Sequence, residues 1–227
     1  MKTLYCFLFS LFVATAVLTA KDEPPQVSFD FRCIGLGREF RQLELYLDSG
    51  AETRQKVRLN DLAKTNSVEY TGLPQLKFYK QAEGGQPFAR VQYNREQKQP
   101  LFIFTRAQDA KVARITSIED SWTVYGANSY LLVNISGRAL FWQVGAQRFK
   151  IDDTDFKVIN VPKGEAKTPV IALEIDESGE AARVYRAKWH NFSNMRRLIF
   201  VRASGENETG SVRVQVIEDF YVPLATE

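Results

Sequence analysis

Asn128-Ser-Tyr-Leu-Leu-Val-Asn134-Ile-Ser-Gly137-Arg-Ala-Leu-Phe-Trp-Gln-Val144 holds two strand-like runs around the turn candidate Ile135-Ser136-Gly137-Arg138. Apolar runs flanking such a turn predict a β-hairpin. Leu131, Val133 and Ile135 share one face of the first run, and Tyr130 and Leu132 share the other. A strand apolar on both faces needs cover on both sides. Either face can build a core, and the remaining one then needs another partner.

Two further runs have the same character. In Leu101-Phe-Ile-Phe-Thr105, Leu101 and Ile103 alternate with Phe102 and Phe104. Near the end, Leu198 and Phe200 point one way while Ile199 and Val201 point the other. A sandwich strand normally needs one apolar face. Leu101, Ile103, Tyr130, Leu132, Leu198 and Phe200 are therefore the candidates for a partner surface or an interdomain surface.

Working outward, short extended patterns recur along the chain. Val27, Phe29, Phe31 and Cys33 alternate with Ser28, Asp30 and Arg32 in clean period two. Further strands are predicted at 43–48, 56–59, 67–71, 76–80 and 87–93, then at 146–151, 156–161, 169–176, 182–190, 197–203 and 211–218. Residues 111–118 fit either a strand or the passage between domains, and 51–58 is the one place where a short helix is conceivable. Gly, Pro, Asn and Asp punctuate these runs. The pattern predicts an all-β chain of two immunoglobulin-like β-sandwich domains in tandem, with about seven strands each. The expected division is 1–20 signal peptide, 21–112 N-terminal sandwich and 113–227 C-terminal sandwich.

The leader rests on its own signature. Lys2 precedes the apolar stretch Leu4 to Val17, and Leu18-Thr19-Ala20 offers a small-residue cleavage site. That pattern is a secretory signal peptide, and the stretch is short for a membrane span. The expected localisation is secreted or periplasmic, with no transmembrane segment beyond the signal peptide. Only Cys33 then remains of the two cysteines, so no internal disulfide supports the fold. Lys plus Arg is 30 against 27 for Asp plus Glu, with the signs interspersed along the chain. No concentrated basic face is legible, so a nucleic-acid partner is not expected.

Catalytic and metal chemistry find little to build on. His190 is the single histidine, which leaves multi-imidazole metal sites and triads unsupported. Cys33 shares its face with Phe29 and Phe31 and reads as a buried thiol. Gly35-Leu36-Gly37 is too short for a phosphate loop. Asp152-Asp153-Thr154-Asp155 is the best carboxylate cluster, yet it lacks the glycine and distal glutamate of a calcium loop. No cofactor and no catalytic residue are expected. The triplets at Asn134, Asn191 and Asn207 fit the glycosylation pattern. Trp142 and Trp189 alternate with core positions, whereas Trp122 near the domain boundary is the candidate for stacking on a sugar. Arg186 and Lys188, with Arg196, Arg197, Arg202 and Arg213, form a basic C-terminal region that could meet an anionic polymer or membrane surface.

The segments Tyr130-Leu-Leu-Val-Asn134-Ile-Ser, Tyr185-Arg-Ala-Lys-Trp189 and Arg196-Arg-Leu-Ile-Phe-Val201 loosely resemble secreted bacterial proteins of unknown function with immunoglobulin-like β-sandwich domains. The likeness covers mainly the second half and implies an envelope or extracellular location. Size, export and the place of Leu101 to Thr105 also resemble periplasmic pilus chaperones; that family's central motif is absent, and no residue role carries over. The expectation is a non-enzymatic structural or binding protein. A chaperone-like assembly factor and a carbohydrate-binding module are the alternatives, and another envelope protein or a surface polysaccharide is the expected partner.

Overall fold

The computed structural model describes residues 25–107, 111–161, 165–176, 178–204 and 210–221. The proposed signal peptide and the Asn207 triplet lie outside them. Among the described residues sixteen strands form four sheets of four. The first eight are β1 (Val27–Gly35), β2 (Glu44–Asp48), β3 (Gln55–Arg58), β4 (Val68–Gly72), β5 (Gln75–Tyr79), β6 (Ala89–Gln92), β7 (Pro100–Arg106) and β8 (Ala113–Glu119). They make one sheet of order β4-β1-β7-β8 and a second of order β3-β2-β5-β6. The other eight are β9 (Ser129–Ile135), β10 (Leu140–Val144), β11 (Gln147–Ile151), β12 (Phe156–Asn160), β13 (Lys167–Ile175), β14 (Ala181–His190), β15 (Met195–Ala203) and β16 (Val212–Phe220). These give β12-β9-β15-β16 and β11-β10-β13-β14. The chain is all-β, two β-sandwiches in tandem.

Adding eight to each strand number of the first sandwich reproduces the strand orders of the second. The match extends to direction: β1 runs parallel to β7, and β9 runs parallel to β15. The remaining pairings are antiparallel in both sandwiches. No repeat is legible in the sequence, yet the topology is duplicated. Each sandwich has eight strands where about seven were expected. β8 pairs with β7 along its whole length, from Pro100 opposite Glu119 to Arg106 opposite Ala113. Residues 113–119 thus sit with the first sandwich, and the crossing to the second lies in 120–128.

The stretch 128–144 corrects the reading it prompted. Its two runs do not pair as a hairpin. β9 bonds to β12 on one edge and β15 on the other, which leaves no edge for β10. β10 crosses to the opposite sheet and pairs with β11 and β13. The crossover is held by Asn134, which is 1% exposed. Its Nδ2 donates to the carbonyls of Arg138 (2.7 Å), Ile151 (3.1 Å) and Asp152 (3.2 Å). Its Oδ1 accepts the Ser136 hydroxyl at 2.7 Å. A buried amide must satisfy its donors and acceptor, and here it does so by joining the β9–β10 and β11–β12 connections. The true hairpin follows: Val144 pairs with Gln147 around a two-residue loop in which Gly145 has φ 58°. Residues 51–58 form no helix; Gln55–Arg58 is β3, and a 3-10 turn lies instead at Arg38–Phe40.

Three apolar clusters follow from strand alternation. Phe31, Cys33, Phe102 and Phe104 meet Leu45, Leu47, Leu76 and Phe78 inside the first sandwich. Tyr130, Leu132, Ile199 and Val201 meet Trp142, Val144, Val170 and Ala172 inside the second, with Trp189 at its edge. The third lies between the sandwiches and holds Ile34, Leu36, Leu101, Ile103 and Ile118 of the first against Leu131, Val133, Leu198, Phe200 and Ile217 of the second. The four sheets therefore stack, and the two middle ones are covered on both faces. Among the described residues no helix is long and apolar enough to cross a membrane.

Cys33 is fully buried among these aromatics, and burial holds its thiol well above the ordinary range. The expected result is no reaction with a thiol reagent in the native protein, with full labelling once it is unfolded. Labelling of the native protein at the rate seen in denaturant would contradict this packing.

Candidate functional site

The structure takes the double-sided strands in the register the sequence left open. Leu101, Ile103, Leu198 and Phe200 lie in the seam between the sandwiches. Tyr130 and Leu132 do not; they turn into the second core, and their neighbours Leu131 and Val133 face the seam instead. With apolar residues at successive positions, parity along β9 carries no signal, and only the pairing with β15 fixes it.

At one end of this seam the apolar contacts give way to a buried ionic network. Asp120 follows β8 directly and is fully buried. Its Oδ2 meets Arg32 Nη2 from β1 at 2.6 Å and Lys64 Nζ from the β3–β4 loop at 3.1 Å. Its Oδ1 meets Arg196 Nη2 from β15 at 3.1 Å and accepts the Tyr125 hydroxyl at 2.5 Å. Arg196 is also fully buried, and its Nε and Nη2 donate to Asp219 Oδ2 on β16 at 2.9 and 2.7 Å. Its Nη1 donates to the Tyr125 carbonyl at 3.1 Å, and Nη2 also reaches the Asp120 carbonyl at 3.0 Å. Lys64 closes the ring on Asp219 Oδ2 at 2.5 Å. The guanidinium of Arg196 has the Trp122 ring at 4.0 Å and the Tyr125 ring at 4.2 Å.

Three cations thus share two carboxylates, and the five come from both sandwiches and the connector. Burying ions costs several kcal/mol each unless geometry and hydrogen bonds offset it. Here nearly every donor of Arg196 is used, so the network fixes the relative placement of the sandwiches. Burial pulls Lys64 below the ordinary lysine range, against the opposing pull of Asp120 and Asp219. Burial alone would raise Asp219, but Lys64 and Arg196 together hold its carboxyl below the usual range. Tyr125 is pushed up by burial and by Asp120, so it stays a donor.

The sign for stability follows from Asp219. A carboxyl held below its unfolded value adds stability that is complete above that value and lost as pH falls through the folded one. Melting temperature should therefore drop below pH about 4, the ordinary Asp range. The Asp219→Asn variant should melt lower than wild type at pH 7 and converge on it in acid. Parallel curves would remove Asp219 from the account.

Trp122 is half-buried and lines a cleft of about 480 Å³ with Asp30, Arg32, Thr65, Asn66, Ser67, Gln99 and Pro100. One face of its ring is taken by Arg196, and Tyr221 packs edge-on at 5.5 Å. It is a wall of the ionic network more than an open platform for a sugar. A second cleft of about 530 Å³ opens beside Lys64, Asp219 and Leu62, and Arg32 borders both.

Other residues singled out in the sequence lie apart. Cys33 is in the first core, while His190 is exposed at the end of β14, so the two do not meet. Asp153 accepts the Gly137 amide at 2.8 Å, and Asp152 pairs with Lys150 at 2.6 Å. Among the described residues no cluster of His, Cys, Asp or Glu is placed to hold a metal ion. Asn134, buried in the crossover, is closed to glycosylation in the folded protein. The ionic network itself was missed, because its members at 32, 64, 120, 196 and 219 share no local pattern. No protein-family model matches the chain, and no curated protein matches it.

Proposed function

We propose that this chain is an exported, non-enzymatic structural or binding protein of the cell envelope or extracellular space. Its two sandwiches are of immunoglobulin-like type and act as one rigid body. The observation that carries this reading is the closed seam: the polar chemistry buried between the sandwiches is spent on holding them, and the two outermost sheets are left facing solvent. Such a stack presents surfaces at fixed spacing, which suits scaffolding or binding.

The assembly-chaperone alternative draws less support. A client strand needs an open edge or face, and β7 is bonded to β1 and β8 and buried on both faces. The test is fractionation of cells expressing the full chain, with N-terminal sequencing of the product. Recovery from the envelope or medium, starting near Lys21, is the expected result. Recovery from the cytoplasm with Met1 intact, or turnover of any substrate by the pure protein, would overturn the proposal.

A further inference from the structure

The outer face of the β11-β10-β13-β14 sheet carries basic residues along both of its edge strands, β11 and β14. Strand register places Lys150, Phe141, Leu173 and Arg183 in one row across it, and Arg148, Gln143, Ile171 and Arg186 in the next. Pro169 with Lys188, and Lys167 with His190, continue toward the far end. No acidic residue occurs in these rows. Arg148, Lys167, Arg183, Arg186 and Lys188 are exposed and pair with no carboxylate among the described residues. Lys150 alone is engaged, by Asp152 at the strand end.

The matching sheet of the first sandwich is the internal control. Its outer face, β3-β2-β5-β6, sets Glu44 opposite Arg58 and Asp48 opposite Lys77, and Glu44 pairs with Lys56 at 2.9 Å. Identical topology carries mixed charge there, so the basic face is not a by-product of the fold.

Its layout is two cationic rails with a largely uncharged median, Lys167 at the start of β13 being the exception. Strands lie about 4.8 Å apart, which sets the β11 rail about 14 Å from the β14 rail, and successive side chains on one face about 7 Å apart along a strand. Between the rails Phe141, Ile171 and Leu173 are half-buried. We propose that this face binds a linear acidic polysaccharide, its anionic groups on the rails and the apolar faces of its rings over Phe141 and Ile171. Single-stranded nucleic acid fits less well, since it calls for several exposed aromatic platforms and the face offers one half-buried ring. A membrane surface fits less well too, since the half-buried Phe141, Ile171 and Leu173 offer little apolar area to insert into a bilayer.

This rests on the binding-protein reading and names its partner class. The test measures binding of the full mature chain to dextran sulfate and polygalacturonate, with neutral dextran, single-stranded DNA and vesicles containing phosphatidylglycerol as the other arms. Saturable binding to the acidic polysaccharides is expected, weakening as salt rises. Arg186→Glu with Lys188→Glu should weaken it about tenfold or more and flatten its salt dependence. Lys56→Glu with Lys77→Glu, on the first sandwich, should leave it unchanged, with circular dichroism used to check that both variants fold. Stronger binding to DNA or vesicles, equal loss in both variants, or no binding would overturn the proposal. Undiminished polysaccharide binding in the β14 variant would overturn the assigned face while sparing the binding-protein reading. Shortening of the polysaccharide on size exclusion would instead overturn the non-enzymatic reading.

Discussion

Asp120→Asn should destabilise the protein by about 3–5 kcal/mol, the cost typical of breaking a buried ion pair from one side. The substitution keeps the shape of the side chain and removes its charge. Arg32, Lys64 and Arg196 would then face Asp219 alone, with Arg196 fully buried and Lys64 nearly so. For a chain of this size the melting temperature should fall by about 6–20 °C. Denaturant unfolding checks the magnitude, and a second variant checks the cause. Arg32→Gln should cost less in the Asp120→Asn background than in wild type, because it relieves cation repulsion there and breaks an ion pair in the native network. A loss below about 1 kcal/mol for Asp120→Asn would show the network to be an exposed-type cluster of little energetic weight.

Phe200→Ala should cost a similar amount, about 3–5 kcal/mol, from lost burial and the cavity left behind. Phe200 is fully buried in the seam, with Leu101 and Ile103 of the other sandwich in the same cluster. Its effect should differ in kind from that of a core residue. Limited proteolysis of the wild type should release no pair of stable halves at 120–128, since Asp120, Ser121 and Tyr125 anchor the connector on either side of the exposed Thr123 and Val124. In Phe200→Ala the seam opens more readily than either sandwich unfolds, so cleavage should concentrate in that connector. Cutting of the wild type at the connector into two stable halves would sink the view that the seam fixes the sandwiches together.

Much of the strand content was legible because period-two alternation is local. The need to cover Leu101–Thr105, Ser129–Ile135 and Leu198–Ala203 on both sides was legible for the same reason. Which face went where was not, since Tyr130 and Leu131 are equally apolar and only the neighbouring strands choose between them. The false hairpin has a comparable origin. Ser136-Gly137 marks a reversal of the chain, but whether β10 pairs with β9 or crosses to the other sheet depends on β12 and β15 having already claimed both edges of β9. The basic face was hidden by averaging. Acidic residues between the lysines and arginines keep the running charge low, while strand register gathers the basic ones onto one side of β11 and β14. Asp120 and Arg196 give no local sign at all, and topology alone brings them within 3.1 Å.

The doubled strand order has a consequence for how the molecule is made. A first sandwich completed before the second exists leaves Ile34, Leu36, Leu101 and Ile103 uncovered on one face. That surface is shaped to meet a sheet of its own topology, and another unfinished chain offers one. The productive partner wins because it is tethered through residues 120–128, which gives it an effective concentration in the millimolar range. Residues 25–119 expressed alone should therefore self-associate, and the second sandwich acts, in a newly made chain, as the stopper that keeps the first from pairing with its own kind.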